Sequence, residues 1–289
     1  MYTNIFKEGY PMIDLHLHST FSDGELSPSE VVQKAKQEGI SVLSLTDHDS
    51  TLGWKEAKET CDKLGIRFIP GVELEAATNI AQSKYIHILG YNFTNPKVIE
   101  DYLQNLRHER IYIVKKYVEL FEKLGIKTSF EEILSITPGL HLTAYNIPIF
   151  LCKNGYFNDF NDAKEKFINP SSEYYIPRSF YNVDFIIDLI IKAGGIPVIA
   201  HPYRLPQKGN ELETYIANLK QKGIVGIETY YSEHSQEDIA FYEMLAKKYN
   251  LLQTVGSDWH SSEYGIPMGL SVSNEEEIVN SLLNLKGNS

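Results

Sequence analysis

Apolar residues along this chain follow two rhythms. Between positions 13 and 95, short β-branched runs alternate with segments of helical period. IDLHLH, SVLSLT, RFIPGVELEA and YIHILGYN are short and continuous, as strands buried on both faces are. Between the first two lies SPSEVVQKAKQEG, where Ser27 predicts an N-cap, Pro28 suits the first turn, Glu30 completes a capping box and Gly39 ends the helix. A second helix is predicted from about Trp54 to Leu64. From Pro96 to about Ser172 the pattern is helical and more polar, opening with the amphipathic stretch VIEDYLQNLRHERIYIVKKYVELFEKLG and continuing through FEEILSI, IPIFLCKNGYF and DFNDAKEKFI. Strand–helix alternation then resumes with NVDFIIDLIIKAGG, IPVIAHP, ELETYIANLKQKG, VGIETYY, EDIAFYEMLAKKYN and LQTVGSD, and NEEEIVNSLLNL forms a last helix.

Seven predicted strands with helices between most of them imply a parallel sheet. The polar chemistry collects where these strands end. His16 and His18 sit two apart, so they share one face of their strand, and Asp23 follows on the loop. Asp47, His48 and Asp49 close SVLSLTDHD; Glu73, His87 and His201 stand in or after later strands; Glu228 and His234 belong to VGIETYYSEH; Asp258 and His260 end LQTVGSDWH. Of the nine histidines, only His108 and His141 lie outside this pattern. Residues converging on the C-terminal ends of many strands predict a closed barrel with one active rim rather than an open sheet, whose ligands gather at one switch point.

Imidazole nitrogen with carboxylate oxygen suits Zn²⁺, Mn²⁺ or Fe²⁺. Alone, TDHD reads equally as a helix cap and GSDWH as a turn; it is their joint recurrence that points to metal. His16, His18, Asp23, His48, Glu73, His87, His201, Asp258 and His260 exceed the needs of one ion, so two or three divalent ions are expected, with a carboxylate such as Glu73 bridging. Closely spaced ions clamp a transferring phosphoryl group and make water nucleophilic at neutral pH. No phosphate loop and no nucleophile elbow occurs. A net charge of −11 argues against an extended nucleic-acid or anionic-membrane surface, while leaving room for a nucleotide or RNA end in a local site. Cys61 and Cys152 read as ordinary thiols of a reducing compartment. The first residues carry no secretory pattern and no run approaches a membrane span, so a cytoplasmic protein is expected.

HLHSTFSDG, SLTDHDS, the Glu of PGVE, AHPYR and GSDWH, in this order, resemble the PHP family (polymerase and histidinol phosphatase) over most of residues 13–95 and 177–270. The resemblance implies an α/β fold, a distorted seven-stranded (β/α)7 barrel with an inserted helical subdomain. The barrel would comprise 1–95 and 176–289 and the insert 96–175. The insert and YIPRSF resemble the small stand-alone phosphoesterases that hydrolyse nucleoside 3′,5′-bisphosphates or trim 5′ RNA ends. By motif, the resemblance implies a first metal on His16, His18, Glu73 and Asp258, a second on Glu73, His87 and His201, and a third on Asp23, His48 and His260. Asp47 would orient a ligand or cap a loop, and His234 would contact phosphate or serve as general acid. Arg178 and Arg204 are the candidate phosphate cations. Related enzymes often carry an Arg two residues before a His in the insert. Here Gly139 stands at that place before His141, which weakens the transfer of a bisphosphate substrate. Tyr145, Phe150, Tyr156, Phe157 and Phe160 would stack a base or, more simply, build a small helical core.

The expected activity is metal-dependent hydrolysis of a phosphate monoester in a nucleotide, a 5′ RNA end or a phosphorylated small metabolite. A second reading is a C–N hydrolase of the binuclear type, which often bridges its metals with a lysine; no lysine occurs at these strand ends. A third is a non-catalytic metal-stabilised module, which would be expected to have lost some of the nine candidate ligands. Native metals, oligomeric state and the physiological substrate are left open by the sequence.

Overall fold

The computed structural model describes residues 11–80, 83–137, 141–179 and 181–285. In chain order the elements begin with β1 (Met12–Leu17), α1 (Pro28–Gln37), β2 (Ile40–Leu45), α2 (Trp54–Leu64), β3 (Arg67–Phe68), β4 (Gly71–Ile80) and β5 (Ser83–Tyr91). Helices α3 (Pro96–Lys123), α4 (Phe130–Ser135), α5 (Asn146–Lys153) and α6 (Phe160–Phe167) follow. The chain continues with α7 (Val183–Lys192), β6 (Ile196–Ile199), α8 (Gly209–Gln221), β7 (Gly226–Tyr231), α9 (Gln236–Tyr249), β8 (Leu252–Gly256), β9 (Leu270–Ser271) and α10 (Glu275–Asn284). The described residues of 1–100 and 181–289 form one compact unit, and those of 101–180 a second. No helix among the described residues is long and apolar enough to cross a membrane.

In the first unit, local signals account for local structure. The Ser27 hydroxyl accepts from the Glu30 N–H while the Glu30 carboxylate accepts from the Ser27 N–H, and Pro28 opens α1. Val31, Val32 and Ala35 of α1 then pack with Ala57 and Cys61 of α2 and with Leu43 and Leu45 of β2. A second core joins the strands to α10: Ile13, Leu15, Leu89, Tyr91, Val198 and Val255 pack with Ile278, Val279 and Leu282. The second unit has its own core, in which Tyr117, Phe121, Phe150 and Phe167 are buried. Of the aromatics singled out above, Phe150 is core, whereas Tyr145 and Tyr156 are exposed.

The closed seven-stranded (β/α)7 barrel is not what forms. Two sheets are present, one of four strands in the order β3-β2-β1-β9 and one of five in the order β4-β5-β6-β7-β8, and neither closes on itself. Strand directions are mixed. β1, β2 and β3 run parallel, as do β6, β7 and β8, but β5 runs against both β4 and β6, and β9 runs against β1. The reason lies in connection length. Only positions 81 and 82 separate β4 from β5, too few for the crossover of a dozen or more residues that parallel pairing needs. With β5 inverted, the ladder is no longer uniformly parallel. Among the described residues, backbone pairing between the two sheets is confined to isolated bridges, His48 to Glu73 and Leu17 to Trp259.

Candidate metal centre

The two isolated bridges lie where the chemistry collects. The Glu73 N–H bonds the Thr46 carbonyl at 3.1 Å and the Asp49 N–H bonds the Glu73 carbonyl at 2.8 Å, which brings His48 against Glu73. On the other side, the His18 N–H bonds the Trp259 carbonyl at 3.1 Å and the Asp258 N–H bonds the His16 carbonyl at 2.9 Å. Ligand-type residues of both sheets therefore meet in the first unit.

Three groups of potential ligands result: His16, His18, Glu73 and Asp258; His18, Asp23, His48 and His260; and His48, Glu73 and His87. The first is fully buried. His16 Nε2 lies 3.2 Å from Glu73 Oε2 and 3.3 Å from Asp258 Oδ1, and His18 Nε2 lies 3.3 and 3.2 Å from the same two oxygens. Yet none of these four atoms has a hydrogen-bond partner. Four buried, convergent and unpartnered polar atoms would be costly unless something else satisfies them, and a divalent cation does so. The donor set therefore fits a metal ion.

The second group is more open. His260 Nε2 reaches Asp23 Oδ1 at 3.2 Å, and the His18 and His260 rings stack at 4.0 Å. His260 Nδ1 donates to the Asp258 carbonyl at 2.8 Å, which leaves Nε2 as the ligating atom. Around the third, Glu73 Oε1 meets His87 Nδ1 at 2.8 Å and His201 Nε2 at 2.9 Å, while Glu73 Oε2 meets His48 Nδ1 at 3.1 Å. His48 thus belongs to two groups at once, and Glu73 lies against five imidazoles, those of His16, His18, His48, His87 and His201.

Charge follows geometry. Burial would raise Glu73 and Asp258, but the surrounding imidazoles hold both well below the usual carboxylate range. Burial lowers His48 to about 3, against the pull of Glu73, so its ring is neutral, the form in which an imidazole could ligate a metal. Burial also disfavours the charged form of His18, yet Asp258, Glu73 and Asp23 outweigh it and push this ring up to about 10.

The PHP domain pattern matches residues 14–181. The chain belongs to the PHP domain family. A 5′-3′ exoribonuclease of Haemophilus influenzae is 32% identical to this PHP protein over 252 residues, 86% of this chain and 89% of that protein. A 3′,5′-nucleoside bisphosphate phosphatase of Chromobacterium violaceum is 28% identical over 267 residues, covering 92% of each. A solved structure of an amidohydrolase from Chromobacterium violaceum, with sulfate bound and no metal, aligns at a TM-score of 0.71 and 27% identity, over 92% of this chain and 95% of that one.

Around the PHP site, several residues hold others in place. Asp47 is buried and accepts from the Ser19 N–H, Ser19 Oγ and Ser22 Oγ, each at 2.7 Å, and Ser22 Oγ lies 3.3 Å from His18 Nδ1. It therefore ties the loop after β1 and stands one residue behind His18. Glu228 stands among the strand-end acids of the sequence without an assigned role, and Tyr231 of the same strand is not singled out there. His16 Nδ1 lies 2.9 Å from Glu228 Oε1, and the Tyr231 hydroxyl donates to Asp258 Oδ2 at 2.9 Å. A register shift between Glu228 and Tyr230 explains why period two did not show both facing inward. Arg204 lies beside the site, with its NH1 group 3.1 Å from Asp258 Oδ2 and NH2 3.1 Å from Glu233. His234 is buried among Tyr203, Tyr231 and Tyr242, and Nδ1 donates to the Thr229 carbonyl at 2.9 Å, so Nε2 is the atom it offers. Arg178 is half-buried in the second unit. Gly139 lies outside the described residues; within that unit Arg110 approaches His141 Nδ1 at 3.5 Å.

Proposed function

We propose that this PHP protein hydrolyses a phosphate monoester with divalent ions held by its clustered imidazoles and carboxylates. It is a metal-dependent hydrolase of phosphate-containing substrates, and the observation that carries the reading is the unpartnered quartet of His16 Nε2, His18 Nε2, Glu73 Oε2 and Asp258 Oδ1. That quartet would hold the first ion. Glu73 with His87 and His201 would hold a second, and Asp23, His48 and His260 a third, with His48 near enough to Glu73 to serve either. Mn²⁺, Zn²⁺ and Fe²⁺ are the ions this donor set suits. When bound, such ions neutralise phosphate oxygens and acidify water.

The chain's own groups do the rest. Glu73, held ionised, spreads its two oxygens over five imidazoles and so fixes the spacing of the groups. Arg204, beside Asp258, is the cation we assign to a phosphate oxygen, with Arg178 as a second candidate and His234 as a phosphate contact or proton donor to the leaving oxygen. Two of the relatives are described as acting on nucleoside bisphosphate or RNA, which supports a nucleotide, a 5′ RNA end or a phosphorylated small metabolite as substrate.

The test is phosphate release from a panel of nucleoside 3′,5′-bisphosphates, 5′-phosphorylated RNA oligomers and sugar phosphates, with Mn²⁺, Zn²⁺ or Fe²⁺ added in turn. Metal-dependent release from at least one is expected. A metal-loaded protein inert on all of them, or one that turns over only a cyclic amide, sinks the proposal.

A further inference from the structure

We propose that Glu228 is the positioning residue for two candidate ligands at once, setting the tautomer of His16 and the backbone of His201. This rests on the reading of the site as a metal centre. Glu228 is fully buried on β7, and each of its oxygens takes one donor: Oε1 the His16 Nδ1 at 2.9 Å, Oε2 the His201 N–H at 2.6 Å. A carboxylate only accepts, so the hydrogen of the His16 ring belongs on Nδ1 and the lone pair on Nε2. Nε2 is the His16 atom in the unpartnered quartet.

The second oxygen works on backbone. His201 has φ +24°, a strained conformation that residues with a side chain rarely adopt. Its N–H on Glu228 Oε2 holds that turn, and the turn sends His201 Nε2 to Glu73 Oε1, 2.9 Å away. The packing around Glu228 is equally specific. A Cβ at Gly256 would lie 2.2 Å from His16 Cβ and 2.6 Å from Glu228 Oε1, so only glycine lets β8 pass this pair. One carboxylate thereby links a ligand of the quartet to a ligand on the far side of Glu73.

Glu228→Gln decides the matter because it keeps the shape. An amide offers one acceptor and one donor where two donors converge. Either the His201 N–H loses its partner, or the amide donates to His16 Nδ1 and forces the ring hydrogen onto Nε2. Calorimetric titration of the metal-free variant with Mn²⁺ is expected to show affinity about 10–100-fold below wild type, with the far-ultraviolet circular dichroism unchanged. On any phosphate ester the wild type turns over, kcat falls while KM stays within about twofold, the pattern of a group that touches no substrate. In zinc-loaded wild type, nitrogen NMR is expected to show His16 protonated at Nδ1 and ligating through Nε2, a readout independent of whether the variant folds. Wild-type Mn²⁺ affinity in a folded Glu228→Gln, or His16 ligating through Nδ1, overturns the proposal. Tight metal binding without turnover of any phosphate ester would instead sink the functional reading and leave this one standing.

Discussion

At the scale of single residues, the site is built from side chains whose partners lie far away in sequence. Asp258 sits at φ +57° after β8, a left-handed turn that aims Oδ1 at His16 and His18 while Oδ2 is taken by Tyr231 and Arg204. Asp258→Asn or His16→Ala is expected to lower turnover by at least 100-fold with little change in circular dichroism; full activity in either would contradict the assignment. Gly256→Ala drives a methyl group into His16 and Glu228. Overpacking of this kind costs about 1–3 kcal/mol, to be read as a lower urea midpoint together with weaker Mn²⁺ binding. Cys61, away from the site, gives a pH-dependent check. Burial raises its thiol from 9.0 to about 12. The fold therefore favours the protonated form. That contribution is complete below pH 9 and is lost as pH rises from 9 towards 12, so the urea midpoint should fall across that window in wild type and less in Cys61→Ala. At pH 8 a thiol reagent should label the half-buried Cys152 quickly and Cys61 only after unfolding.

At the scale of elements, α1 shows how much a short stretch specifies by itself. Its cap, its first-turn proline and its buried stripe are contained within about ten residues, so spacing alone exposed them. Ser27→Ala removes one side of the capping box and should cost about 1 kcal/mol in urea denaturation, with metal binding unchanged. RFIPGVELEA shows the reverse. It reads as one strand but forms two, β3 pairing with β2 in the first sheet and β4 with β5 in the second. Pro70, without an N–H to donate, lies between them. The strand that follows is antiparallel because of its short connection, a feature that alternation of apolar runs does not report. β7 hides a further signal, since its register shift turns both Glu228 and Tyr231 inward across an odd spacing.

At the scale of the whole chain, the candidate ligands come from both sheets of the first unit: His16 and His18 from β1 and the loop after it, Glu73 and His87 from the β4–β5 pair, His201 and Asp258 from the ends of β6 and β8. Ions held among them would add a further tie between sheets that share a core and are joined in backbone pairing at isolated bridges. Removing metal with a chelator should therefore lower the thermal midpoint, and restoring Mn²⁺ or Zn²⁺ should raise it. A ligand at 100 times its Kd adds about 2.7 kcal/mol to stability. A midpoint indifferent to chelator and to added metal would argue against ions bridging the sheets.

What the sequence determined by itself was the inventory: which residues able to ligate a divalent ion stand at strand ends, and which stretches coil or extend. Those properties depend on neighbours within a few positions, through side-chain period, capping and turn chemistry. Tertiary structure alone decided that two mixed sheets form instead of a closed barrel, that His48 stands between two groups, and that Glu228 takes the ring Nδ1 of His16. These are pairings between distant residues, 212 positions apart for His16 and Glu228, chosen by how strands of different direction pack against one another, and no local pattern carries that choice.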